Sequence, residues 1–536
     1  MQSGEKTLNS SGFKEFFEAN REWLEPYAAY CCLRDIYETP DFRKWKMYSV
    51  FNPDDIAEFC ACGNIYYDKV SFYYFVQYHL HVQLLEVRDY AHAKGIVLKG
   101  DIPIGVSRDS VDAWSHPELF YMDSQAGAPP DDFSVEGQNW GFPTYNWDEM
   151  AKDGYAWWKA RFRKMAEYFD AYRIDHILGF FRIWEIPESA IQGVLGHFNP
   201  AIPFSIEELQ SYGFYFDEHR HAHPYIREYM LQSLFGEYAG EVIHDYLLEC
   251  GYGIYALSLD FNTQRKIENH FCGKSDEKSL KIKSGLFALT DEILFVEDPY
   301  QKRKFHPCIS ARQTYSYKSL TDYERWCYDR LYVDFFYHRQ DAFWKNEAMK
   351  KLPPLISSTG MLVCGEDLGM IPQSVPEVMN ALQILSLEIQ RMPKDPDKEF
   401  GDVTDYPYLS VCTTSTHDMS GIRAWWEEDR NKTQRYYNYI LQEKGEAPYY
   451  CEPWICEKIL AMHMHSPSML AIIPLQDWLS IDGNIRRNNP VEERINVPAN
   501  PRNYWRYRMH ITIEDLLKNS DFNKRVFELV RSGGRE

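Results

Sequence analysis

The stretch Ala171-Tyr172-Arg173-Ile174-Asp175-His176 decides the fold of this chain. It is a short β-type run, it follows a helical pattern, and it delivers a charged pair where the strand should end. Side chains alternate across a strand, so Arg173 and Asp175 project to one face. A guanidinium in that position holds a carboxylate ionised, which suits an Asp that must attack as the anion at neutral pH. A structural ion pair has the same appearance, and these six residues alone do not separate the two readings.

The same helix-then-strand unit recurs on both sides. Upstream, residues 14–37 and 71–93 read as helices, and after a stop at Gly95 residues 96–103 read as a buried strand that ends on Asp101 and a proline. Residues 106–147 read as a long aromatic-rich loop forming the wall of a site, with Trp140 either a stacking platform or a plug pinning the loop. A helix over 148–169 leads back to Asp175, and Phe180, Phe181, Arg182 and Trp184 are expected to line the same cavity. From 198 to 320 the rhythm is lost, which predicts an inserted subdomain with its own small core. A long helix over 322–351 then precedes strands at 360–368, 384–389, 409–414 and 469–475. Six strands in alternating β/α order predict an α/β chain, a (β/α)8 TIM barrel with inserted subdomains. The expected division is a barrel portion over 1–197, the insertion over 198–320, and a second barrel portion with a C-terminal helix over 321–536.

Composition narrows the function. With 58 basic and 79 acidic residues among 536, the net charge of −21 repels phosphate backbones and anionic membranes, so neither nucleic acid nor a membrane is an expected partner. Aromatics make up 16%, with 39 Tyr and 15 Trp, suited to offering flat faces to a neutral, hydroxyl-rich ligand as well as to filling a core. The 12 Cys show neither repeated C-x-x-C nor paired His spacing, so buried free thiols in a reducing compartment are expected, with no metal site and no cofactor. The first residues lack the pattern of a signal peptide and no apolar run spans a bilayer, which predicts a cytoplasmic protein.

In a barrel of this kind the chemistry sits at the C-terminal strand ends, and four successive polar ends are acidic: Asp101, Asp175, Glu366 and Asp418. Gathered acids repel one another, which a fold tolerates mainly where they have work to do. Paired carboxylates without a phosphate loop or a Cys/His set point to glycosidic bond chemistry, with a divalent-metal site as the competing reading.

The motifs Gly100-Asp101-Ile102-Pro103-Ile104, Arg173-Ile174-Asp175-His176, Gly365-Glu366-Asp367-Leu368-Gly369, Thr416-His417-Asp418 and Pro474-Leu475-Gln476-Asp477 together resemble the 4-α-glucanotransferases, or amylomaltases. Residues 137–147, 177–182 and the long gap between Asp175 and Glu366 resemble the cytosolic disproportionating type, which implies maltose, maltooligosaccharides and a glycogen-like polymer as substrates. The resemblance implies Asp175 as nucleophile, Glu366 as general acid and base, and Asp418 as stabiliser of the transition state. It also implies Asp101, Trp140, Arg173, His417, Gln476 and Asn496 as substrate-binding residues. A buried strand before Glu366 fits a raised pKa, and the expected outcome is transfer with retention through a covalent glucosyl-enzyme. The insertion is expected to shape which acceptor binds.

The family's first two strands and preceding starch-binding modules have no counterpart before Phe13, so the chain is expected to be truncated. Toward the C-terminus Ala499-Asn500 stand where many amylomaltases have Gly-Thr. A glycan-binding remnant and an α-glucan hydrolase are the alternative functions. Oligomeric state is left open by the sequence.

Overall fold

The computed structural model describes residues 2–131, 134–498 and 503–535, so Ala499-Asn500 lie outside the described residues. Two compact units are separable: Met1–Ala171 with Gly179–Met361, and Tyr172–Leu178 with Leu362–Glu536. Most of the stretch that decides the fold therefore belongs to the second unit.

In the second unit the strands lie side by side in chain order: the end of Ala171–Ile174, then Leu362–Gly365, Ser386–Ile389, Ser410–Thr413 and Leu470–Ala471. Cys364 bridges Leu385 in parallel, Ser386–Ile389 pairs in parallel with Ser410–Thr413, and Val411 and Cys412 pair with Leu470 and Ala471. Parallel neighbours require crossovers, supplied here by helices such as Ser374–Ala381 and Pro453–Met464. The second of these starts on a proline at its first turn, where no amide partner is lost, and buries Ile455, Cys456, Ile459, Leu460, His463 and Met464 along one face. All four residues of Ser410–Thr413 are buried, as in a strand covered on both faces. The last strand, expected over 469–475, shortens to two residues because Pro474 opens the helix Leu475–Leu479.

The first unit begins with two long helices, Ser11–Tyr37 and Tyr67–Ala93, close to their expected limits. The Ser10 hydroxyl caps the former by accepting from the Phe13 amide, and Phe13, Phe16, Leu24 and Leu33 feed a core shared with Trp45, Phe59 and Trp114. Among the described residues no strand precedes Lys99–Ile102. The Leu98 carbonyl accepts from the amides of Asp170 and Ala171, while the Asp170 carboxylate accepts from the Leu98 amide at 2.8 Å.

Several expectations change in this unit. The supposed loop 106–147 is largely organised: Ser124–Ala128 pairs antiparallel with Gln138–Asn139 and with Ile183–Pro187, which pairs with His197–Asn199. Gly127 makes this possible, since a Cβ there would fall 2.0 Å from the Gln138 carbonyl oxygen. The helix expected over 148–169 is two helices, Trp147–Lys152 and Ala156–Ala166, broken where Gly154 and Tyr155 are left-handed in succession. The helix over 322–351 likewise divides into Asp322–Tyr337 and Asp341–Ile356, between which the buried Gln340 amide brackets the backbone of Ile202. Phe180, Phe181, Arg182 and Trp184 line no open cavity; they are buried in the core, with the Arg182 guanidinium over the rings of Phe198 and Trp344. Their sequence run is aromatic because it is interior, a distinction periodicity does not make.

Residues 198–320 do not repeat the β/α rhythm of the second unit. They carry two small antiparallel sheets, one of Ile226–Arg227, Ile254–Leu257 and Leu247–Gly251 and one of Phe204–Ser205, Lys304–Pro307 and Phe295–Glu297. A core of Ile226, Met230, Phe235, Val242, Ile267 and Leu286 fills this region. All 12 cysteines are free, and no helix among the described residues is long and apolar enough to cross a membrane.

Candidate active site

Three strand ends of the second unit bring charged groups together. Arg173 and Asp175 share a face as their spacing requires, with Nη1 of Arg173 at 2.9 Å from Oδ1 of Asp175. The same guanidinium places Nη2 at 3.9 Å from Oε2 of Glu366, so one cation serves two carboxylates. Glu366 follows Leu362–Gly365 directly, and its backbone is fastened to the neighbouring strand end: its amide donates to the Ile174 carbonyl and its carbonyl accepts from Ile177. Gly365 is needed beneath it, because a Cβ would meet Ile177 at 2.8 Å.

The Glu366 carboxyl is 9% exposed by residue and accepts from the His176 amide at 2.9 Å and the Leu368 amide at 3.0 Å. His176 reaches it through a left-handed backbone, φ 43°, unusual for a residue with a Cβ and typical of strain held at a site. Burial drives the Glu366 pKa up to about 7, against the pull of Arg173 and the two amides and with help from the charge on Asp175. The Asp175 side chain is the more open of the pair, 31% exposed against 11% for Glu366.

A second network lies on the segment after Ser410–Thr413. Asp418 accepts from Nδ2 of Asn496 at 2.6 Å and lies 3.1 Å from Nε2 of His417, and the Asn496 amide donates to the His417 carbonyl. Burial works to raise the Asp418 pKa, but the His417 and Asn496 bonds and the Arg173 charge outweigh it and leave the carboxyl below its usual range. Behind this segment the buried Asp477 carboxylate accepts from the hydroxyls of Thr414 and Ser415 and from the Ile422 amide. Arg391 adds bonds to the carbonyls of Thr414 and Ser420. The arrangement can donate a proton from Glu366 at neutral pH while a guanidinium sits against Asp175 and Asp418 is held below its usual range, which suits glycosidic bond cleavage.

The family model described as 4-alpha-glucanotransferase, Glyco_hydro_77, matches residues 1–513. The chain belongs to this family. It is 45% identical over 536 residues to the rice 4-alpha-glucanotransferase DPE2, covering 99% of this chain and 57% of that protein, so it spans little more than half of that relative's length. It is 26% identical over 524 residues to a 4-alpha-glucanotransferase of Chlamydia pneumoniae, covering 97% of this chain and 71% of the relative. Two solved structures share its α/β fold, that of the expected barrel class. An amylomaltase from Streptococcus agalactiae in complex with acarbose has a TM-score of 0.62 at 18% identity, covering 99% of this chain and 77% of that one. An amylomaltase from Corynebacterium glutamicum has a TM-score of 0.54 at 15% identity, covering 97% and 56%.

Within this 4-alpha-glucanotransferase family chain, the structure brings Asp175, Glu366, Arg173, Asp418, His417 and Asn496 into two connected networks. Gln476 is buried, and its Nε2 donates to the Glu493 carbonyl at 3.3 Å. Asp101 and Trp140 belong to the first unit, Asp101 exposed as the third residue of its strand rather than at its end. The Trp140 indole donates to Oε1 of Gln138 at 3.1 Å and stacks with Phe142 at 5.8 Å, half-buried. Sequence reasoning missed the bracing by Asp477 and Arg391. Asp477 stood in a quoted motif, but nothing local marks Arg391 as a buried carbonyl clamp.

Proposed function

We propose that this chain transfers glucosyl or glucan units between α-1,4-glucans by a retaining double displacement. Asp175, kept beside Arg173, attacks the anomeric carbon while Glu366 protonates the departing glycosidic oxygen, giving a glycosyl ester on Asp175 and a free 4-hydroxyl. Glu366, now anionic, takes the proton from the 4-hydroxyl of an acceptor glucan, which attacks the same carbon and frees Asp175. Asp418, with His417 and Asn496, holds sugar hydroxyls by bonds that strengthen as positive charge grows on the ring. The observation that carries this reading is the burial that lifts Glu366 to about 7 beside the more open Asp175, an acid and a nucleophile set apart by their surroundings. Substrates of the maltose, maltooligosaccharide and glycogen-like class, without metal or cofactor, and a cytoplasmic location complete the proposal.

Residues 198–320, which carry a core of their own, are proposed as an insertion between barrel portions that tunes acceptor preference. Asp101, Trp140 and Gln476 are proposed as further sugar contacts. Incubating the chain with maltose and labelled glycogen tests the function: glucose release matched by label transfer supports it, glucose without transfer means hydrolysis, and neither means a glycan-binding remnant.

A further inference from the structure

The segment from Asn503 to His510 has no helix or strand beyond a bend, yet it is fastened within the second unit at both ends. Asn503 donates through Nδ2 to Oδ1 of Asn496 at 2.8 Å and to the Ile495 carbonyl at 3.4 Å. At the far end Arg487 donates to the Arg508 carbonyl at 2.8 Å and covers the Tyr507 ring, and His510 bonds the Ile485 carbonyl at 2.6 Å. Between these fastenings stands Trp505, 59% exposed, its ring 5.3 Å from that of His417 at an angle of 52°. A large indole held in place but left open to water does little for a core, and a flat apolar face is what the C–H faces of a pyranose stack upon. One edge of it meets the residue beside Asp418, so an occupant of that face would adjoin the sugar gripped by Asp418.

We propose that Trp505 is the stacking face of a glucosyl subsite adjoining His417 and Asp418. Asn503 is its positioning residue: by donating to Oδ1 of Asn496 it also fixes the orientation in which the Asn496 amide donates to Asp418. The ligand is a glucose unit of the same glucan chain that reacts, so this inference rests on the function proposed above.

The test measures transfer by wild type, Trp505→Ala and Trp505→Phe with maltose and with maltoheptaose, alongside thermal unfolding. Trp505→Ala is expected to raise KM by about tenfold and to change kcat far less, because stacking binds ground and transition states alike. Trp505→Phe restores most of the loss, since it keeps a ring. Binding of maltoheptaose to Asp175→Asn with and without Trp505→Ala, by calorimetry, reads the subsite without turnover and should weaken by the same factor. Unchanged KM and binding in Trp505→Ala, with wild type active, overturn this inference and leave the function standing. A wild type that neither transfers nor binds glucan overturns both. A loss in kcat with KM and binding unchanged, or a lowered melting temperature that Trp505→Phe does not restore, assigns the ring a structural role and likewise overturns it.

Discussion

Glu185 in the first unit and Glu366 in the second are both buried glutamates whose pKa values burial raises, yet only Glu366 is proposed as a catalytic acid. Glu185 has its oxygens saturated by neutral donors: Thr144 at 2.6 Å, Asn199 at 2.9 Å and Tyr300 at 2.8 Å, with His197 at 3.7 Å. Glu366 accepts two backbone amides and shares a guanidinium with a more exposed Asp. Burial is common to both, so burial does not make an acid catalytic. What separates them is a second carboxylate on the same cation and a side of the site left open for a ligand.

The comparison breaks most visibly through Asp175. Asp175→Asn should cut transfer by more than about 1000-fold while leaving glucan affinity within a few-fold, checked by single-turnover kinetics and calorimetry. A residual rate near a tenth of wild type would reduce Asp175 to a structural ion pair like any other. Glu366→Gln should cost about 100- to 1000-fold with maltose, and a substrate whose leaving group needs no protonation should recover the first step. Absence of recovery would put Glu366 in the same class as Glu185.

How much of this contrast was legible in the sequence follows from what each part depends on. The strand ends were readable because alternation fixes Arg173 and Asp175 on one face, and because a β/α rhythm puts each chain segment's polar end on the same side. The environment of Glu185 was not. Its partners come from positions 144, 199 and 300, and the strands that assemble them lie partly in residues read as loop, since short antiparallel strands such as Gln138–Asn139 leave almost no period to detect. The bracing of Asp418 failed for a related reason, because Arg391 spends its donors on backbone carbonyls, which carry no residue identity.

Smaller effects sharpen the contrast. Glu185→Ala should lower unfolding free energy by about 2–5 kcal/mol, since it strands three donors in the interior, while the folded protein keeps its kcat. Loss of kcat at unchanged melting temperature would contradict the assignment. Glu366 should also shape stability against pH. Its pKa is about 7 folded and near 4.5 unfolded, so the folded state holds the extra proton between those values. Its contribution is fully present below about pH 4.5 and is lost as pH rises through about 7, a change of roughly 3 kcal/mol at most. Glu366→Gln should remove that slope, measured by denaturant unfolding at several pH values, and an unaltered slope would show that the carboxyl is not held protonated. Asn496→Ala, which takes one donor from Asp418, should cost about tenfold in kcat/KM.

In the double displacement proposed above, the guanidinium shared by Arg173 gives the site a memory of which half of the cycle it is in. In the resting state the negative charge of Asp175 helps to keep the proton on Glu366. When Asp175 is esterified by a sugar that charge vanishes, and Arg173 faces Glu366 alone, so the proton becomes easier to lose at the moment a base is required. On that cycle the acid becomes a base through a change of charge beside it, and the charge returning to Asp175 resets it when the ester breaks. Carbon-13 titration of the Glu366 carboxyl with a sugar trapped on Asp175 should find a midpoint below that of the free enzyme; an equal or higher midpoint would show that the two carboxylates do not signal to each other through Arg173.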